Sequence, residues 1–143
     1  MFLNRINHIN FFKKNPIKSG HKTLQNTVCK FLTKNGYKVF QEFPLSKYHF
    51  ADILGSKDDK LIIFEIKPHG FKIDQSDFME LFGLSIVLQR KKQFKDKKIK
   101  KCMIASGSIS NSASDYAEKL GINVIINESK NNIEKEIEKC ILI

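Results

Sequence analysis

Two carboxylates and a lysine stand at a spacing suited to metal-dependent chemistry. Twelve residues separate Asp52 from Glu65, and Lys67 follows two positions later. Alternate residues of a β-strand share a face, so a strand through this region predicts Glu65 and Lys67 on one side. If a hairpin joins the two strands, Asp52 comes alongside Glu65. Adjacent carboxylates beside a core are costly unless a cation balances them.

These residue types indicate a hard divalent cation. Oxygens from Asp52 and Glu65, with the carbonyl of Ile66 as a further ligand, suit Mg²⁺ or Mn²⁺ that keeps several waters. Lys67 beside the metal would orient or deprotonate an attacking water and offset phosphate charge. An alternative stays open, with Asp52 as a turn or edge acid and Glu65 with Lys67 as an exposed ion pair. Their place at the end of the most apolar predicted strand, LIIFEIK, favours the functional interpretation.

Hydrophobic periodicity predicts the elements that must position these residues. A helix over 21–35 ends at Gly36, a residue type common just after helices. A second helix runs from Asp77 to Gln89, with Glu80 completing a capping pair. Its predicted buried stripe is Phe78, Leu81, Phe82, Ser85 and Ile86. The remaining predictions are strands at 37–43, 49–54, 61–67, 101–105 and 122–126, a hairpin turn at 55–59, and helices at 112–120 and from 131 onward.

This order, α-β-β-β-α-β-α-β-α, predicts an α/β fold with a central mixed β-sheet flanked by helices on both faces. The 143 residues suffice for one domain and hardly for two. We expect a single domain over 21–143, preceded by a basic N-terminal arm over 1–20. An organelle-targeting peptide is the alternative for the arm, because its apolar residues lie roughly on one helical face. Those residues are Phe2, Ile6, Ile9 and Phe12.

The charge balance predicts a polyanionic partner. Lys and Arg total 25 against 15 Asp and Glu, which gives a net charge of +10. Nearly all of the positive charge is lysine, which suits phosphate contacts better than the reading of base edges. The segment 90–101 is especially basic, and we expect it to bind the nucleic-acid backbone, a solvated helix end being the alternative. The residues assigned to this contact are Arg90, Lys91, Lys92, Lys95, Lys97 and Lys98.

The remaining composition indicates a cytoplasmic protein without a membrane role. Cys29, Cys102 and Cys140 are too widely spaced for a metal knuckle and odd in number, which predicts reduced thiols. No apolar run approaches the roughly 20 residues that span a bilayer. The four histidines show no ligand spacing, although His49 and His69 lie near the acidic motif.

The chain resembles a known family. The segment ADILGSKDDKLIIFEIK resembles the PD-(D/E)xK nuclease motif, with Ala51 in place of the frequent proline. HKTLQNTVCKFLTKNGYKVFQE is similar to the first helix and strand of these nucleases. QSDFMELFGL and ASGSISNSASDYAEKLGINVI resemble the later helix and the last β-α-β stretch of the Mrr-like restriction endonucleases. The resemblance covers about residues 21–127, and archaeal Holliday junction resolvases share the same core.

The resemblance implies a restriction-endonuclease-like core and a Mg²⁺-dependent DNA endonuclease, restriction-like or junction-resolving. Asp52 and Glu65 would be metal ligands, Lys67 the catalytic lysine, and Gln75 the glutamine that some members carry after the motif. Many relatives place a glutamate in the first helix where this chain has Gln25. One metal would then suffice, another acid such as Glu42 would contribute, or activity would be reduced.

Three further expectations follow from the resemblance. Such nucleases often act as homodimers, and the final helix is a candidate interface. A catalytically inactive nucleic-acid-binding protein on the same fold is the alternative function. An RNA-processing nuclease is a third possibility, which matched DNA and RNA substrates would separate.

Overall fold

The computed structural model describes residues 17–67, 72–127 and 132–142, with side chains described from residue 22 onward. Residues 1–16 of the predicted arm over 1–20 lie outside these ranges, as does His69. The helices are α1 (Ile17–Lys34), α2 (Gln75–Gln89), α3 (Asn111–Lys119) and α4 (Ile133–Leu142). The strands are β1 (Lys38–Pro44), β2 (Phe50–Lys57), β3 (Lys60–Lys67), β4 (Lys98–Ala105) and β5 (Ile122–Ile126).

The five strands form one mixed sheet in the order β1-β2-β3-β4-β5. β1, β2 and β3 pair antiparallel, whereas β3, β4 and β5 pair parallel. β3 is therefore the strand at which the sheet changes direction. The predicted order of elements and the mixed α/β architecture are confirmed.

Helices cover both faces of the sheet because β3 is apolar on both sides. Ile62 and Phe64 belong to a core with α1 and α4, which contribute residues such as Leu32 and Ile137. Leu61 and Ile63 face the opposite way, into a core with α2 and α3. Strand alternation continues the second side through Glu65 to Lys67, so this end of β3 points toward α2.

The hairpin between β2 and β3 is tighter than predicted. β2 continues to Lys57, and the turn is Asp58-Asp59, with Asp58 at a positive φ of 53°. Gly55 was predicted in the turn but lies inside β2. A Cβ at Gly55 would lie 3.2 Å from Leu32 Cδ1 and 3.3 Å from Tyr37 Cδ2. Gly55 therefore permits close packing of α1 on the sheet rather than a change of chain direction.

The start of α2 also differs from the prediction. The N-cap is Asp74, and Asp77 is the third helical residue, so the two carboxylates form a capping box. The buried residues of α2 are Phe78, Leu81, Leu84, Ser85 and Leu88, whereas Ile86 is exposed and Phe82 is only partly buried. The predicted stripe is confirmed at Phe78, Leu81 and Ser85 and wrong at Ile86, because α2 is apolar around much of its circumference and periodicity does not define one face.

Three other boundaries moved. α1 begins at Ile17, four residues before the predicted helix. β4 begins at Lys98 rather than at residue 101, because all eight residues of β3 pair with β4 and the pairing starts at Lys60–Lys98. The final helix begins at Ile133. All three cysteines are buried free thiols. No helix in the described ranges combines the length and apolar character that crossing a bilayer requires.

Candidate active site

Asp52 and Glu65 lie side by side where β2 and β3 pass beyond their regular pairing. The antiparallel register runs from Lys57–Lys60 to Ile53–Phe64, and one step further along each strand lie Asp52 and Glu65. The next backbone N–H, that of Ile66, donates to Asp52 Oδ2 at 2.8 Å. A carboxylate oxygen thus takes the place of a ladder acceptor, which fixes the Asp52 side chain between the two strands.

The surroundings of Glu65 disfavour its negative charge. Burial raises the pKa of Glu65 well above its usual range, and the charge and hydrogen bond of Asp52 raise it further. Glu80 of α2 adds to this effect, whereas Lys67 opposes it. Two carboxylates that share a hydrogen bond compete for one proton or one cation. The pair therefore favours a bound positive charge.

The donor set fits a magnesium-like ion. Mg²⁺ in enzymes of phosphate chemistry is commonly held by one or two carboxylates, with water and substrate oxygens completing its shell. Asp52 and Glu65 meet that requirement with hard oxygen donors. Within the described ranges, no group of three or more His, Cys, Asp or Glu side chains could hold a metal ion.

Lys67 forms an ion pair with Asp77, which was predicted only to cap a helix. Its Nζ lies 3.3 Å from Asp77 Oδ1, and the two side chains are only 15% and 13% exposed. Asp77 Oδ2 accepts a hydrogen bond from the Asp74 backbone N–H at 2.9 Å. One carboxylate therefore closes the capping box of α2 and holds the ammonium of Lys67 beside Glu65.

Gln25 approaches the site from α1. It is 2% exposed, and its Nε2 donates to the backbone carbonyl of Asp52 at 3.1 Å. Gln25 of α1 thus contacts the strand that bears Asp52. The contact anchors the backbone of β2, which in turn sets the position of the Asp52 carboxylate.

Glu42 lies on β1 at the register position opposite Asp52, between the pairs Gln41–Ile53 and Phe43–Ala51. Its φ of 49° is the left-handed conformation, which costs a non-glycine residue of order 1 kcal/mol or more. An unusual backbone conformation thus stands next to the two carboxylates.

Gln75, Ile66 and His49 were also predicted at or near the site, and their surroundings differ. Gln75 is the exposed first residue of α2, two residues from Asp77, and its role stays a prediction. Ile66 has a buried side chain, so only its backbone carbonyl is available as the predicted ligand. His49 hydrogen-bonds Ser46 Oγ through Nδ1 at 2.9 Å in the β1–β2 loop.

The basic segment lies at the opposite end of the sheet. Lys98 pairs with Lys60 at the start of β3, while Ala105 pairs with Lys67 at its end. Seven residues at about 3.3 Å each place these ends roughly 23 Å apart. At the far end Lys97 Nζ donates to the Asp58 carbonyl, and Lys98 Nζ lies 3.8 Å from Asp59 Oδ2. The structure therefore brings Asp52, Glu65 and Lys67 together but leaves the basic segment apart from them.

Comparison with solved structures identifies the architecture. A repair endonuclease from Pyrococcus abyssi superposes with a TM-score of 0.57 at 18% identity, over 78% of this chain and 46% of that protein. AF1548, a protein of unknown function, superposes with a TM-score of 0.58 at 15% identity, over 81% of this chain and 64% of that protein. Both likenesses lie below 25% identity and show a shared α/β fold alone.

Sequence comparison adds a partial match. UPF0102 proteins of Thermotoga petrophila and Thermotoga maritima are 30% identical over 60 residues, which is 42% of this chain. The match spans 56% of the length of those relatives. No family model matches the chain.

Proposed function

We propose that this protein is a metal-dependent DNA endonuclease that hydrolyses phosphodiester bonds. The observation that carries the proposal is the centre at the end of β3. There Asp52 and Glu65 lie one step beyond the last register pair of β2 and β3, and Lys67 Nζ lies 3.3 Å from Asp77 Oδ1 on the same side of the sheet as α2. The fold shared with a repair endonuclease and the net charge of +10 support the same conclusion.

Asp52 and Glu65 would hold Mg²⁺ or Mn²⁺, with the carbonyl of Ile66 as a third ligand. When bound, the ion would supply Lewis acidity to a phosphate and would lower the pKa of a coordinated water. The Asp52 carboxylate is already oriented by the Ile66 N–H, and its backbone by Gln25. Both contacts reduce the reorganisation that metal binding requires.

Lys67 supplies positive charge at a fixed point. Its ammonium, tethered by Asp77, orients the attacking water and stabilises the negative charge that develops on the phosphate oxygens. Gln75 extends the polar surface at the start of α2, where it can contact substrate. Each of these roles requires positioning to within about 1 Å, which the capping box of α2 helps to provide.

The basic segment 90–98 would bind the phosphate backbone away from the cut. A separation of roughly 23 Å along β3 corresponds to about seven base pairs at 3.4 Å each. A duplex that runs along the sheet from the catalytic end therefore reaches these lysines. Lysine binds phosphate as a point charge, so this contact contributes affinity without reading sequence.

Cleavage of supercoiled plasmid and of a four-way junction, with Mg²⁺ or Mn²⁺, tests the proposal. Metal-dependent cutting should disappear in Glu65→Ala and Lys67→Ala. Glu134→Ala and Lys135→Ala are matched controls, because they remove the same charges from exposed positions of α4, which packs on the other face of the sheet, and they should cut as wild type does. The preferred substrate separates a restriction-like from a junction-resolving enzyme, and a matched RNA duplex tests an RNA-processing nuclease.

One observation favours a second candidate, a catalytically inactive DNA-binding protein. The buried amide of Gln25 occupies the α1 position where relatives often supply a further acid, which leaves two carboxylates for metal. Mn²⁺ binding, followed by electron paramagnetic resonance, distinguishes the two. The nuclease binds Mn²⁺ and loses it in Glu65→Ala. The inactive protein binds DNA without binding the ion and without cutting.

A further inference from the structure

α2 carries an apolar face that the described part of the chain leaves exposed. Met79, Ile86 and Val87 are 48%, 43% and 42% exposed, although each is a large hydrophobic side chain. Met79, Gly83 and Ile86 are spaced four and three residues apart, so they lie along one side of the helix. The opposite side, with Phe78, Leu81 and Leu88, is packed in the core. Contiguous exposed apolar surface of this kind is typical of an interaction site.

Gly83 lies near the middle of this face. A Cβ at Gly83 would meet nothing within 4 Å in the described ranges, so packing among those residues does not require glycine here. A glycine inside a helix destabilises it by roughly 0.5–1 kcal/mol relative to alanine. A second backbone that approaches α2 closely would explain the missing side chain, as small residues do where helices cross at short distance.

The charges of this segment are arranged for an antiparallel copy of itself. Asp74, Asp77 and Glu80 stand at its start, whereas Arg90, Lys91 and Lys92 stand at its end. Segment 74–92 thus carries three acids and three bases, on a chain whose net charge is +10. Self-association elsewhere on so basic a protein meets repulsion, whereas here acidic and basic ends would face each other.

A two-fold axis at Gly83 gives a consistent pairing. Residue 83+k of one copy then faces residue 83−k of the other, which sets Val87 opposite Met79 and Arg90 opposite Ser76. Glu80 lies one helical turn from Ser76, within reach of the long Arg90 side chain. The apolar surface continues into a cavity of ≈ 290 Å³ between α2 and β4, lined in part by Phe82, Ile86 and Ile99.

We infer that α2 is the interface of a homodimer, in which two copies cross antiparallel at Gly83. The helix predicted for this purpose from the sequence, α4, is less suited, because Ile137, Cys140 and Ile141 are buried in its own domain. The inference concerns association and not catalysis, but Arg90, Lys91 and Lys92 also belong to the segment proposed to bind DNA, so association is measured in the absence of DNA.

A cysteine at position 83 tests the geometry directly. In the two-fold arrangement, Gly83→Cys places two thiols across the crossing point, and mild oxidation should give a covalent dimer in high yield. The native cysteines are buried, so they should not cross-link. Ser114→Cys, exposed on α3, is the matched control and should remain monomeric on a denaturing gel. Equal cross-linking of both variants, or none at position 83, would overturn the inference.

Association of the unmodified protein supplies the second measurement. Light scattering after size-exclusion chromatography should show a dimer at micromolar concentration. Ile86→Glu should raise the dissociation constant at least about tenfold, that is about 1.4 kcal/mol. Tyr48→Ser, which removes an exposed aromatic group far from α2 in sequence, should leave it unchanged. A monomer at all concentrations, or a dimer indifferent to Ile86→Glu, would contradict the α2 interface and leave the face to another partner.

Charge reversal tests the direction of the two helices. Glu80→Lys and Arg90→Glu should each weaken the dimer, because each creates like charges across the interface. The double variant should recover most of the loss. An additive loss in the double variant would refute the antiparallel pairing.

Discussion

Asp77 has two roles that one substitution can separate, and Asp77→Asn is the variant that does so. The change keeps a side-chain oxygen that can accept from the Asp74 N–H, so the capping box is largely preserved. It removes the negative charge that lies 3.3 Å from Lys67 Nζ. The ammonium then keeps its charge but is no longer held in a fixed direction toward Glu65.

The expected cost follows from this distance and from partial burial. Two unit charges 3.3 Å apart attract by about 5 kcal/mol at an effective dielectric constant of 20. Desolvation and side-chain ordering offset most of this attraction. A net loss of about 1.5–3 kcal/mol is usual for a hydrogen bond to a charged group. We therefore expect urea denaturation to show the variant less stable by about 2 kcal/mol.

The catalytic effect should appear in kcat rather than in DNA binding. Loss of orientation at Lys67 should lower kcat about tenfold, about 1.4 kcal/mol in the barrier. Removal of an acid beside the phosphate site should leave KM for DNA equal or lower. Asp74→Ala is the matched control, because it loses the cap at a cost of about 1 kcal/mol but keeps the Lys67–Asp77 pair. If Asp77→Asn loses stability while kcat stays at the wild-type value, or if Asp74→Ala lowers kcat equally, Asp77 is only a cap.

Three other variants have defined outcomes. Glu65→Gln should raise the stability of the metal-free protein at neutral pH. In the wild type, the raised pKa means that the fold binds more protons than the unfolded chain, so stability falls as pH rises from about 4.3 through the folded pKa. Urea titrations in chelator from acid to neutral pH should show this fall in the wild type and a flatter curve in Glu65→Gln; parallel curves would contradict the assigned burial. Replacing Lys91, Lys92 and Lys95 together by alanine should reduce the magnitude of the slope of log affinity against log salt by about 0.9 for each phosphate that the protein no longer neutralises. DNA affinity should fall more than the cleavage rate. An unchanged slope, measured by fluorescence anisotropy, would show that this segment does not contact DNA. Gly55→Ala should destabilise the fold by about 1–3 kcal/mol in thermal denaturation, because its Cβ would press on two buried side chains, and a neutral result would show that α1 can yield.

The carboxylate pair could be predicted because it depends on local structure. Asp52 and Glu65 belong to consecutive strands joined by a two-residue turn, so their proximity requires only the hairpin and its register. The apolar run of β3 and the polar turn define both. Lys67 was predicted on the same side of the sheet as Glu65 because residues two apart on a strand share a face.

The partner of Lys67 could not be predicted in that way. Asp77 is close in sequence, but its interaction with Lys67 depends on where the axis of α2 lies over the sheet, which is a matter of tertiary packing. The pattern of Asp74 and Asp77 does carry a capping signal, and an N-cap three residues earlier would have given the correct start of α2. The buried side of α2 had no such signal, because hydrophobic residues also cover its exposed face.

The position of the basic segment could be predicted only with the full lengths of β3 and β4 known. Residues 98–101 read as part of a lysine-rich run, yet Lys98 to Lys101 belong to β4 and pair with Lys60 to Ile63 of β3. Three of the four residues 98–101 are lysines, so the sequence pattern did not indicate that a strand begins there. Only the parallel register shows that this segment lies at the start of β3, far from the carboxylates at its end.

The change of direction at β3 has a consequence for synthesis of the chain on the ribosome. β1, β2 and β3 are consecutive, so the hairpin that carries both carboxylates can pair as soon as it emerges. The other edge of β3 pairs with β4, whose last residue, Ala105, follows Lys67 by 38 residues (105 − 67). At about 5–20 residues per second, translation leaves this apolar edge open for roughly 2–8 s. During that interval the nascent sheet presents an unpaired edge, the kind of surface through which partly folded chains aggregate.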